Sequence, residues 1–400
     1  MFEIISLKNG LENVAGFYFD GRSMGLKANG DNDLGFIRTD EPVEISAKFT
    51  TNKFKAAPIK HFLRYEKDFK TNFVLLNSKN ANAMTLKAGI DDIDQIFSNL
   101  ANLENFANFK LINPIMSSTG VIGYRLNTDK ITQTAAKFDL FAKNSDSVAK
   151  SIMTTDRFKK EIAFRVDLQD GKSFNIACIC KGAGMINPAF ATMLCFILTD
   201  ANIPKSDMDE LLESSLETSF NAISVDGDTS TNDTVMLLSS KKSGVYDKIA
   251  FKTALDMITK NMALNLVKDG EGSSKVVAFE IKGAVTKDQA QKAAKALSNS
   301  LLVKTAIFGE DPNWGRIAST IGASGIECDD EKLSIYYDDV LVYDANHPEL
   351  DSERESKAHK IMQKDSYKIV CDLGLGNAEF TAYGCDLGHE YVKINADYRS

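Results

Sequence analysis

The chain has 400 residues, of which 44% are hydrophobic and 26% charged, and it carries a formal net charge of −8. A chain of this size and composition can bury a large core, which excludes disorder as the default and suggests two to three domain-sized units or one large composite. Its acidic field would repel phosphate backbones and anionic membranes, so neither nucleic acid nor a membrane surface is an expected partner.

The sequence predicts neither a membrane span nor a signal peptide. No run approaches the roughly 18 apolar residues that are needed to cross a bilayer. The first ten residues, MFEIISLKNG, include Glu3 and lack the basic-then-apolar order of a signal peptide. We therefore expect a cytoplasmic protein.

Strand-like and helix-like segments alternate along the whole length, which predicts a mixed α/β fold. Short, apolar, β-rich segments predict buried strands at 73–76, 176–180, 276–281, 367–371 and 379–383. Apolar residues at helical spacing predict one helix with Ile90, Ile93, Phe97, Leu100 and Leu103, and another after Ser206 with Leu211, Leu212, Leu216 and Phe220. Thr286 is expected to cap a third helix, and the charged segment 351–360 to be a solvated helix face.

Cysteine and histidine spacing gives no sign of a metal site. The six cysteines lie mostly among apolar neighbours, as in IACIC, and are predicted to be buried, reduced thiols. Cys178 and Cys180 are one residue apart, which matches neither the C-x-x-C redox spacing nor a zinc pair. The four histidines show no H-E-x-x-H or i,i+4 pairing, so no metal is expected.

The usual catalytic signatures are missing from the sequence. There is no G-x-S-x-G elbow, no Walker-type G-x-x-x-x-G-K-[ST] and no G-x-G-x-x-G, which removes support for an ordinary hydrolase, kinase or dehydrogenase. The segment 226–233 (DGDTSTND) superficially resembles a calcium loop. Thr231 stands where that loop needs glycine and Leu237 where it needs glutamate, so a structured polar loop is expected instead.

The most unusual segment is 181–202, KGAGMINPAFATMLCFILTDAN. Gly182, Gly184 and Pro188 predict an irregular backbone, and the apolar run 193–198 that follows Thr192 is expected to be buried. One interpretation makes Thr192 the N-cap of a helix, which is a common position for threonine. The other makes it a residue that attacks its own preceding carbonyl, so that the Ala191–Thr192 bond shifts to an ester and hydrolyses.

Self-attack at Thr192 would give a nucleophilic hydroxyl and its general base on the same residue. The new α-amine would sit on the same residue as the hydroxyl, and its reference pKa of about 7.7 to 8.0 leaves an appreciable unprotonated fraction near neutrality. Such an amine can act as general base for the adjacent hydroxyl. This chemistry suits a chain in which no histidine falls in the catalytic-looking segments.

Nine ordered blocks carry a resemblance to a known family. They are FTTNKFKAAP (49–58), NSKNANA (77–83), SSTGVIG (117–123), SIMTTD (151–156), KGAGMINPAFATML (181–194), SVDGDTSTNDT (224–234), DGEG (269–272), EDPNWGRI (310–317) and YVKINADY (391–398). By these blocks the chain resembles the ornithine acetyltransferases, also called glutamate N-acetyltransferases, over nearly its whole length.

The resemblance implies a layered α/β sandwich and self-cleavage between Ala191 and Thr192. The pieces 1–191 and 192–400 would stay interleaved, with two copies of each in the assembled enzyme. Thr192 would take the acetyl group from N-acetylornithine, ornithine would leave, and glutamate would accept the acetyl group, as in the acetyl-recycling route to arginine. No cofactor is implied, and whether acetyl-CoA also acetylates Thr192 stays open.

The resemblance also assigns site residues. The oxyanion pair falls on Thr119 and Gly120, where a hydroxyl and a backbone N–H could point at a developing alkoxide. Substrate contacts fall on Thr155, Lys181, Thr192, Glu271, Asn395 and Ser400. One lysine and one glutamate suit substrates that carry carboxylates and, in ornithine, a side-chain ammonium. Taken singly, Lys181 and Glu271 would be exposed salt-bridge residues and Thr155 a cap.

Three residues depart from the family pattern. Lys79 stands where glycine is usual, Met84 where cysteine is common, and the chain ends in Ser400 rather than threonine. Two other functions remain open from the residues: a self-processed aminopeptidase or amidase, and an uncleaved binding or structural protein in which Thr192 is merely a cap.

Overall fold

The molecule divides into two units, and each has its own β-sheet. The structure is a computed structural model that describes residues 1–187 and 193–397. Within those residues, the first unit comprises 1–182, 193–217 and 229–262, and the second comprises 183–187, 218–228 and 263–397.

The sheet of the first unit contains nine strands among the described residues. They are β1 Phe2–Leu7, β2 Phe17–Arg22, β3 Leu34–Phe49, β4 Lys70–Asn77, β5 Ile115–Ser118, β6 Lys160–Leu168, β7 Ser173–Lys181, β8 Leu194–Thr199 and β9 Thr234–Ser239. Their order is β1-β6-β7-β8-β9-β3-β4-β5, and β2 pairs with β3 outside this path. The pairs β4–β5 and β8–β9 are parallel, and the other neighbours are antiparallel.

Helices cover both faces of this sheet because successive side chains of a strand point to opposite sides. The helices are α1 Ala57–Phe62, α2 Leu86–Leu100, α3 Thr128–Ala135, α4 Ser145–Ile152, α5 Lys205–Glu217 and α6 Lys248–Lys268, with 3-10 turns at Gly10–Asn13 and Glu104–Phe106. The last six residues of α6 belong to the second unit. Ile37 and Phe196 pack with Val148 of α4 in one core cluster. Phe36 and Phe73 pack with Ile96 of α2 in another.

The second unit has a five-stranded sheet in its described residues, ordered β12-β11-β13-β10-β14. Its elements are β10 Val276–Ala284, α7 Lys287–Asn299, α8 Leu301–Phe308, α9 Trp314–Ala323, β11 Ser334–Tyr337, β12 Val340–Tyr343, α10 Ser352–Met362, β13 Ser366–Asp372, β14 Ala378–Cys385 and α11 His389–Ala396, with a 3-10 turn at Phe220–Ala222. Phe279 and Ile369 of the sheet pack with Leu297 of α7 in one core cluster.

The α/β class and the predicted elements are confirmed. Strands β4, β7, β10, β13 and β14 contain the five predicted segments, and α2 and α5 are the two predicted helices. The helix α2 ends at Leu100, so Leu103 lies beyond it. The helix α5 ends at Glu217, so Phe220 lies in the following 3-10 turn rather than on the helix. The Gln289 N–H donates to the Thr286 hydroxyl at 3.2 Å, which confirms the cap. The charged segment 351–360 forms most of α10 and its cap, and nearly all of it faces solvent.

The cysteine prediction holds for five of the six residues. All six lie in the described ranges and are free thiols, and only Cys328 is exposed. Among the described residues, no helix is both long enough and apolar enough to cross a membrane.

Candidate active site

Four of the sequence blocks meet in the first unit. The Asn232 side-chain amide donates to the carbonyl oxygens of Ala81, at 2.6 Å, and Ser118, at 2.8 Å. The Thr50 N–H donates to the Asp233 carbonyl at 3.0 Å. These bonds join the blocks 49–58, 77–83, 117–123 and the end of 224–234. Asn232 is itself buried, so its amide is fully committed to holding this junction.

Thr119 and Gly120 directly follow β5 at this junction. The Thr119 N–H donates to the Asn77 carbonyl at 3.0 Å, and the Val121 N–H donates to the Lys79 carbonyl at 3.2 Å. Gly120 has φ +135°, and a Cβ on it would lie 2.2 Å from the carbonyl carbon of Lys79. Only glycine fits this position, because both the backbone conformation and the close approach exclude a side chain.

Lys79 lies in the left-handed region with φ +71°. Asn82, Met84 and Leu86 also have positive φ, so four non-glycine residues within 79–86 adopt a conformation that favours glycine. Lys79, in the block 77–83, and Met84, directly after it, are the two departures from the family pattern in this region, and both are at strained positions. The strain is compatible with a functional loop that surrounding contacts hold in place.

A buried ionic cluster lies at the end of β7. Asp156 accepts hydrogen bonds from Lys160 Nζ at 2.6 Å, from the Thr154 N–H at 2.9 Å and from the Gly182 N–H at 2.8 Å. Both side chains of the Asp156–Lys160 ion pair are 0% exposed. Lys181 Nζ lies 3.4 Å from the Thr154 hydroxyl and donates to it. One carboxylate thus joins the turn around Thr154 to the residues that open the 181–194 block.

Lysines and carboxylates shift one another's pKa values in this cluster. Burial disfavours the charged form of Asp156, but Lys160 and Lys181 outweigh it and hold the pKa of the carboxyl below its ordinary value. Burial lowers the pKa of Lys181, and Asp156 partly opposes this shift. The Asp233 carboxylate, which is also buried, opposes the shift of the Lys181 pKa as well.

Two interpretations of single residues are wrong here. Lys181 is only 8% exposed, so it is not a surface salt-bridge residue. Thr155 lies in the turn between α4 and β6 and caps no helix in the described chain. Both positions instead flank the Asp156 carboxylate, which accepts from the residue before Thr155 and the residue after Lys181.

In the second unit, two predicted substrate contacts are bonded to each other. Asn395 Nδ2 donates to Glu271 Oε2 at 2.7 Å. Glu271 is 7% exposed, so the expectation of an exposed salt-bridge residue is wrong for it as well. Its own N–H donates to the Ala183 carbonyl at 2.8 Å, and a Cβ on Gly184 would lie 2.5 Å from Glu271 Oε2. Gly184 therefore leaves the space that the carboxylate occupies.

The polar loop 226–233 is structured, and its first carboxylate binds the backbone. Asp226 accepts hydrogen bonds from the N–H groups of Met185, at 2.5 Å, and Ile186, at 2.8 Å. The Val225 N–H donates to the Ile186 carbonyl at 2.6 Å, and Asn187 Nδ2 donates to the Gly227 carbonyl at 2.8 Å. These contacts hold the residues just upstream of Pro188.

The predicted residues Ala191, Thr192 and Ser400 lie outside the described residues. The elements on either side of 191–192 are defined: β7 ends at Lys181 and β8 begins at Leu194, and these two residues pair in an antiparallel ladder. The run 193–198 is buried, as predicted. It forms a strand rather than a helix, so the helix N-cap interpretation of Thr192 is wrong.

Sequence reasoning missed Asp156, Lys160, Asn232 and Asp226. Three of them lie inside the resemblance blocks, which were the only available signal for them. Lys160 has no sequence signal, because a lysine that begins a strand is ordinarily exposed.

Comparisons with known proteins agree on one family. The sequence model of the ArgJ family matches residues 18–400. The arginine biosynthesis bifunctional protein ArgJ of Wolinella succinogenes is 54% identical over 400 residues and covers 100% of both chains. The glutamate N-acetyltransferase of Methanocaldococcus jannaschii is 41% identical over 395 residues, covering 94% of this chain and 96% of its own. A crystal structure of ArgJ from Bacillus halodurans is 37% identical and covers 50% of this chain and 97% of that one, with a TM-score of 0.48.

Proposed function

The chain belongs to the ArgJ family, and from that premise we propose that it transfers the acetyl group of N2-acetyl-L-ornithine to L-glutamate. The products are ornithine and N-acetylglutamate, and the enzyme is an acyltransferase of arginine biosynthesis. The observation that carries the proposal is the full-length match to relatives named as bifunctional ArgJ and as glutamate N-acetyltransferase. These names do not favour the aminopeptidase or amidase alternative.

Thr192 is the proposed nucleophile, released by self-cleavage. Its hydroxyl attacks the Ala191 carbonyl carbon, the C–N bond breaks as the Thr192 nitrogen takes a proton, and water then hydrolyses the ester. The freed α-amine serves as general base for the hydroxyl in acetyl transfer. The residue after Thr192 is anchored to the sheet, since the Thr234 N–H donates to the Met193 carbonyl at 2.9 Å and β8 begins at Leu194.

The proposed oxyanion donors are the Thr119 hydroxyl and the Gly120 N–H. Donors of this kind lower a barrier when they are held in place before the reaction. Asn232 holds the Ser118 carbonyl, and the backbone of Lys79 leaves Gly120 no room for a side chain. Both contacts support a preorganised turn at 119–120.

The proposed substrate contacts fall into two chemical groups. Thr155 and Lys181 flank the buried Asp156–Lys160 pair, and the Lys181 ammonium suits a substrate carboxylate. Glu271 supplies a carboxylate for an ammonium group, and Asn395 fixes its orientation through the 2.7 Å hydrogen bond. Thr192 and Ser400 complete the set on the strength of the resemblance alone.

We propose acetyl-CoA as a second acetyl donor, because the 54% identical relative is named bifunctional. Acetylation of Thr192 by acetyl-CoA would then supply N-acetylglutamate independently of acetylornithine. The test is release of coenzyme A on mixing the protein with acetyl-CoA and glutamate. A protein that acetylates glutamate only from acetylornithine would overturn this second activity.

The two pieces would remain associated after cleavage. Strand β8 pairs with β7, and β9 pairs with β3, so strands that follow residue 192 hydrogen-bond to strands that precede residue 191 in one sheet. From the resemblance we propose two copies of each piece in a cytoplasmic enzyme. Native mass spectrometry would measure the assembly, and a single copy of each piece would contradict it.

The decisive experiment is an intact mass spectrum under denaturing conditions, taken before and after brief exposure to N-acetylornithine. The expected result is two pieces that divide at 191/192, with one acetyl group added only to 192–400. Cleavage without acetylation would favour a hydrolase. A single unmodified chain would mean that Thr192 is structural.

A further inference from the structure

Four hydrogen bonds hold the backbone of residues 185 and 186, upstream of the proposed cleavage bond. Asp226 uses both carboxylate oxygens on two consecutive backbone N–H groups, those of Met185 and Ile186. The Ile186 carbonyl accepts two further bonds, from the Val225 N–H at 2.6 Å and from the Ser224 hydroxyl at 3.0 Å. A carboxylate that receives two amides forms charge-assisted bonds, which are among the strongest in proteins.

The backbone at this point is also strained. Met185 has φ +57°, a conformation that is costly for a residue with a side chain. Such a conformation persists only where surrounding contacts impose it, and it is typical of functional segments. Asp226 binds the N–H of Met185 itself, so its carboxylate is one of the contacts that hold this conformation.

One sequence block makes bonds on both flanks of residues 188–192. In the second unit, Ser224 to Gly227 hold 185–187. In the first unit, the Thr234 N–H donates to the carbonyl of Met193. Both sets of contacts belong to the block 224–234, which therefore bonds to the described residues on each side of 188–192.

We propose that Asp226 is a positioning residue for self-cleavage, whose carboxylate fixes the upstream end of the segment that carries the Ala191–Thr192 bond. This inference rests on the proposed function, because it concerns the same bond. An intramolecular attack requires the hydroxyl and the carbonyl to be held in a near-attack geometry, which a loosely tethered segment would rarely reach. Asp226 touches neither reacting atom in this role and is not a catalytic residue.

The test compares Asp226→Asn with the wild type and with Asp228→Asn. Asp228 is exposed, and its side chain accepts none of the bonds described above, so its variant controls for the loss of one negative charge. Each full-length chain is made by cell-free synthesis and quenched in denaturant at timed intervals. Mass spectrometry then follows the conversion of the 44.0 kDa chain into its two pieces.

We expect Asp226→Asn to cleave about tenfold more slowly or worse, because one charge-assisted hydrogen bond is lost and an amide faces an N–H donor. Asp228→Asn should cleave at the wild-type rate. Acetyl transfer, expressed per cleaved molecule, should change much less in Asp226→Asn than its cleavage rate does. A merely structural role would instead lower both rates together.

A second pair of variants keeps the inference testable if Asp226→Asn does not fold. Ser224→Ala removes one bond to Ile186 and should slow cleavage several-fold. Tyr391→Phe removes a 3.3 Å hydrogen bond to Asp226 but leaves its two amide contacts, so it should cleave normally. Wild-type cleavage in both Asp226→Asn and Ser224→Ala would overturn the inference while leaving the proposed function intact. A wild-type chain that never cleaves would overturn the proposed function itself.

Discussion

Asn395 and Glu271 lie 124 positions apart in the sequence, yet their side chains meet through a 2.7 Å hydrogen bond. The amide is a donor to a carboxylate that is almost fully buried. A neutral partner leaves the negative charge of Glu271 uncompensated by any cation in this pair. We propose that this charge binds an ammonium group of the substrate.

Replacement of Asn395 tests this relationship. Asn395→Ala should raise KM for N-acetylornithine, because Glu271 loses the donor that orients it, and should change kcat less. Asn395→Asp should raise KM further, since a second carboxylate would compete for the same ammonium. Steady-state kinetics measures both effects, and Lys393→Ala, an exposed change on the same helix, is the control. Equal KM values in all three variants would contradict the assignment of this pair to substrate binding.

A side chain at position 120 should disrupt the turn that carries the proposed oxyanion donors. In Gly120→Ala the new Cβ would collide with the backbone of Lys79, and φ +135° would be strained as well. We expect acetylation of the enzyme to slow by about 100-fold, the usual effect of losing an oxyanion donor. Gly123→Ala is the matched control, because it shares a positive φ but no heavy atom of the described chain lies within 4 Å of its Cβ. Equal acetylation rates in the two variants would move the oxyanion site elsewhere.

Lys79→Gly should stabilise the protein. Lys79 has φ +71°, and relief of this conformation contributes roughly 1 kcal/mol for a residue with a Cβ. Thermal unfolding should show a higher Tm than the wild type. Lys53→Gly, an exposed change in another loop without a positive φ, should give no such increase. A lower Tm for Lys79→Gly would show that the Lys79 side chain makes a contribution larger than the strain.

Asp156→Asn should destabilise the first unit, because it leaves Lys160 buried without its partner. Removal of one member of a buried ion pair typically costs about 3–5 kcal/mol. The double variant Asp156→Asn/Lys160→Met should recover much of this loss, since no unpaired charge remains. Urea unfolding at neutral pH measures both, and Asp146→Asn, at the surface, is the control. A double variant no more stable than the single one would contradict the electrostatic explanation.

The Asp156–Lys160 pair also predicts how the stability of the protein depends on pH in the acid range. The folded-state pKa of Asp156 is depressed below its ordinary value of 3.8. Its stabilising effect is therefore fully present above pH 3.8 and is lost as the pH falls through the lower, folded-state pKa. The difference in unfolding free energy between wild type and Asp156→Asn should shrink only below pH 3.8. A difference that already shrinks between pH 7 and pH 5 would point to another group.

Thr192→Ala should remain a single 44.0 kDa chain and should be inactive, because it lacks the attacking hydroxyl. Thr192→Ser keeps that hydroxyl and should still cleave. Denaturing mass spectrometry distinguishes the two. Cleavage of Thr192→Ala would remove the self-attack mechanism.

The regular elements could be predicted from the sequence because periodicity and β-rich apolar runs report burial directly. The run 193–198 could not be assigned with the same security. A short apolar run suits a buried strand as well as a buried helix, and only its pairing with β7 and β9 decides for the strand.

The site was accessible from the sequence mainly through the resemblance. Lys181 and Glu271 look like surface residues when taken singly, because burial of a charge depends on partners that are distant in the chain. For Lys181 these are Asp156 and the Thr154 hydroxyl, and for Glu271 the partner is Asn395. The demand for glycine at 120 likewise comes from a backbone forty residues away, which no local pattern contains.

The pairing of β7 with β8 has a consequence for how the mature enzyme could be rebuilt. Under the proposed cleavage, the strands form neighbours in one sheet while they still belong to one chain, and the link between them is then removed. First folding is a unimolecular reaction, whereas recovery from full denaturation would require two separate polypeptides to find each other. Recovery should therefore depend on protein concentration, and dilute samples should lose activity irreversibly after heating. The cleaved enzyme would thus persist through slow unfolding, because its separated pieces could regain the fold only by a bimolecular association.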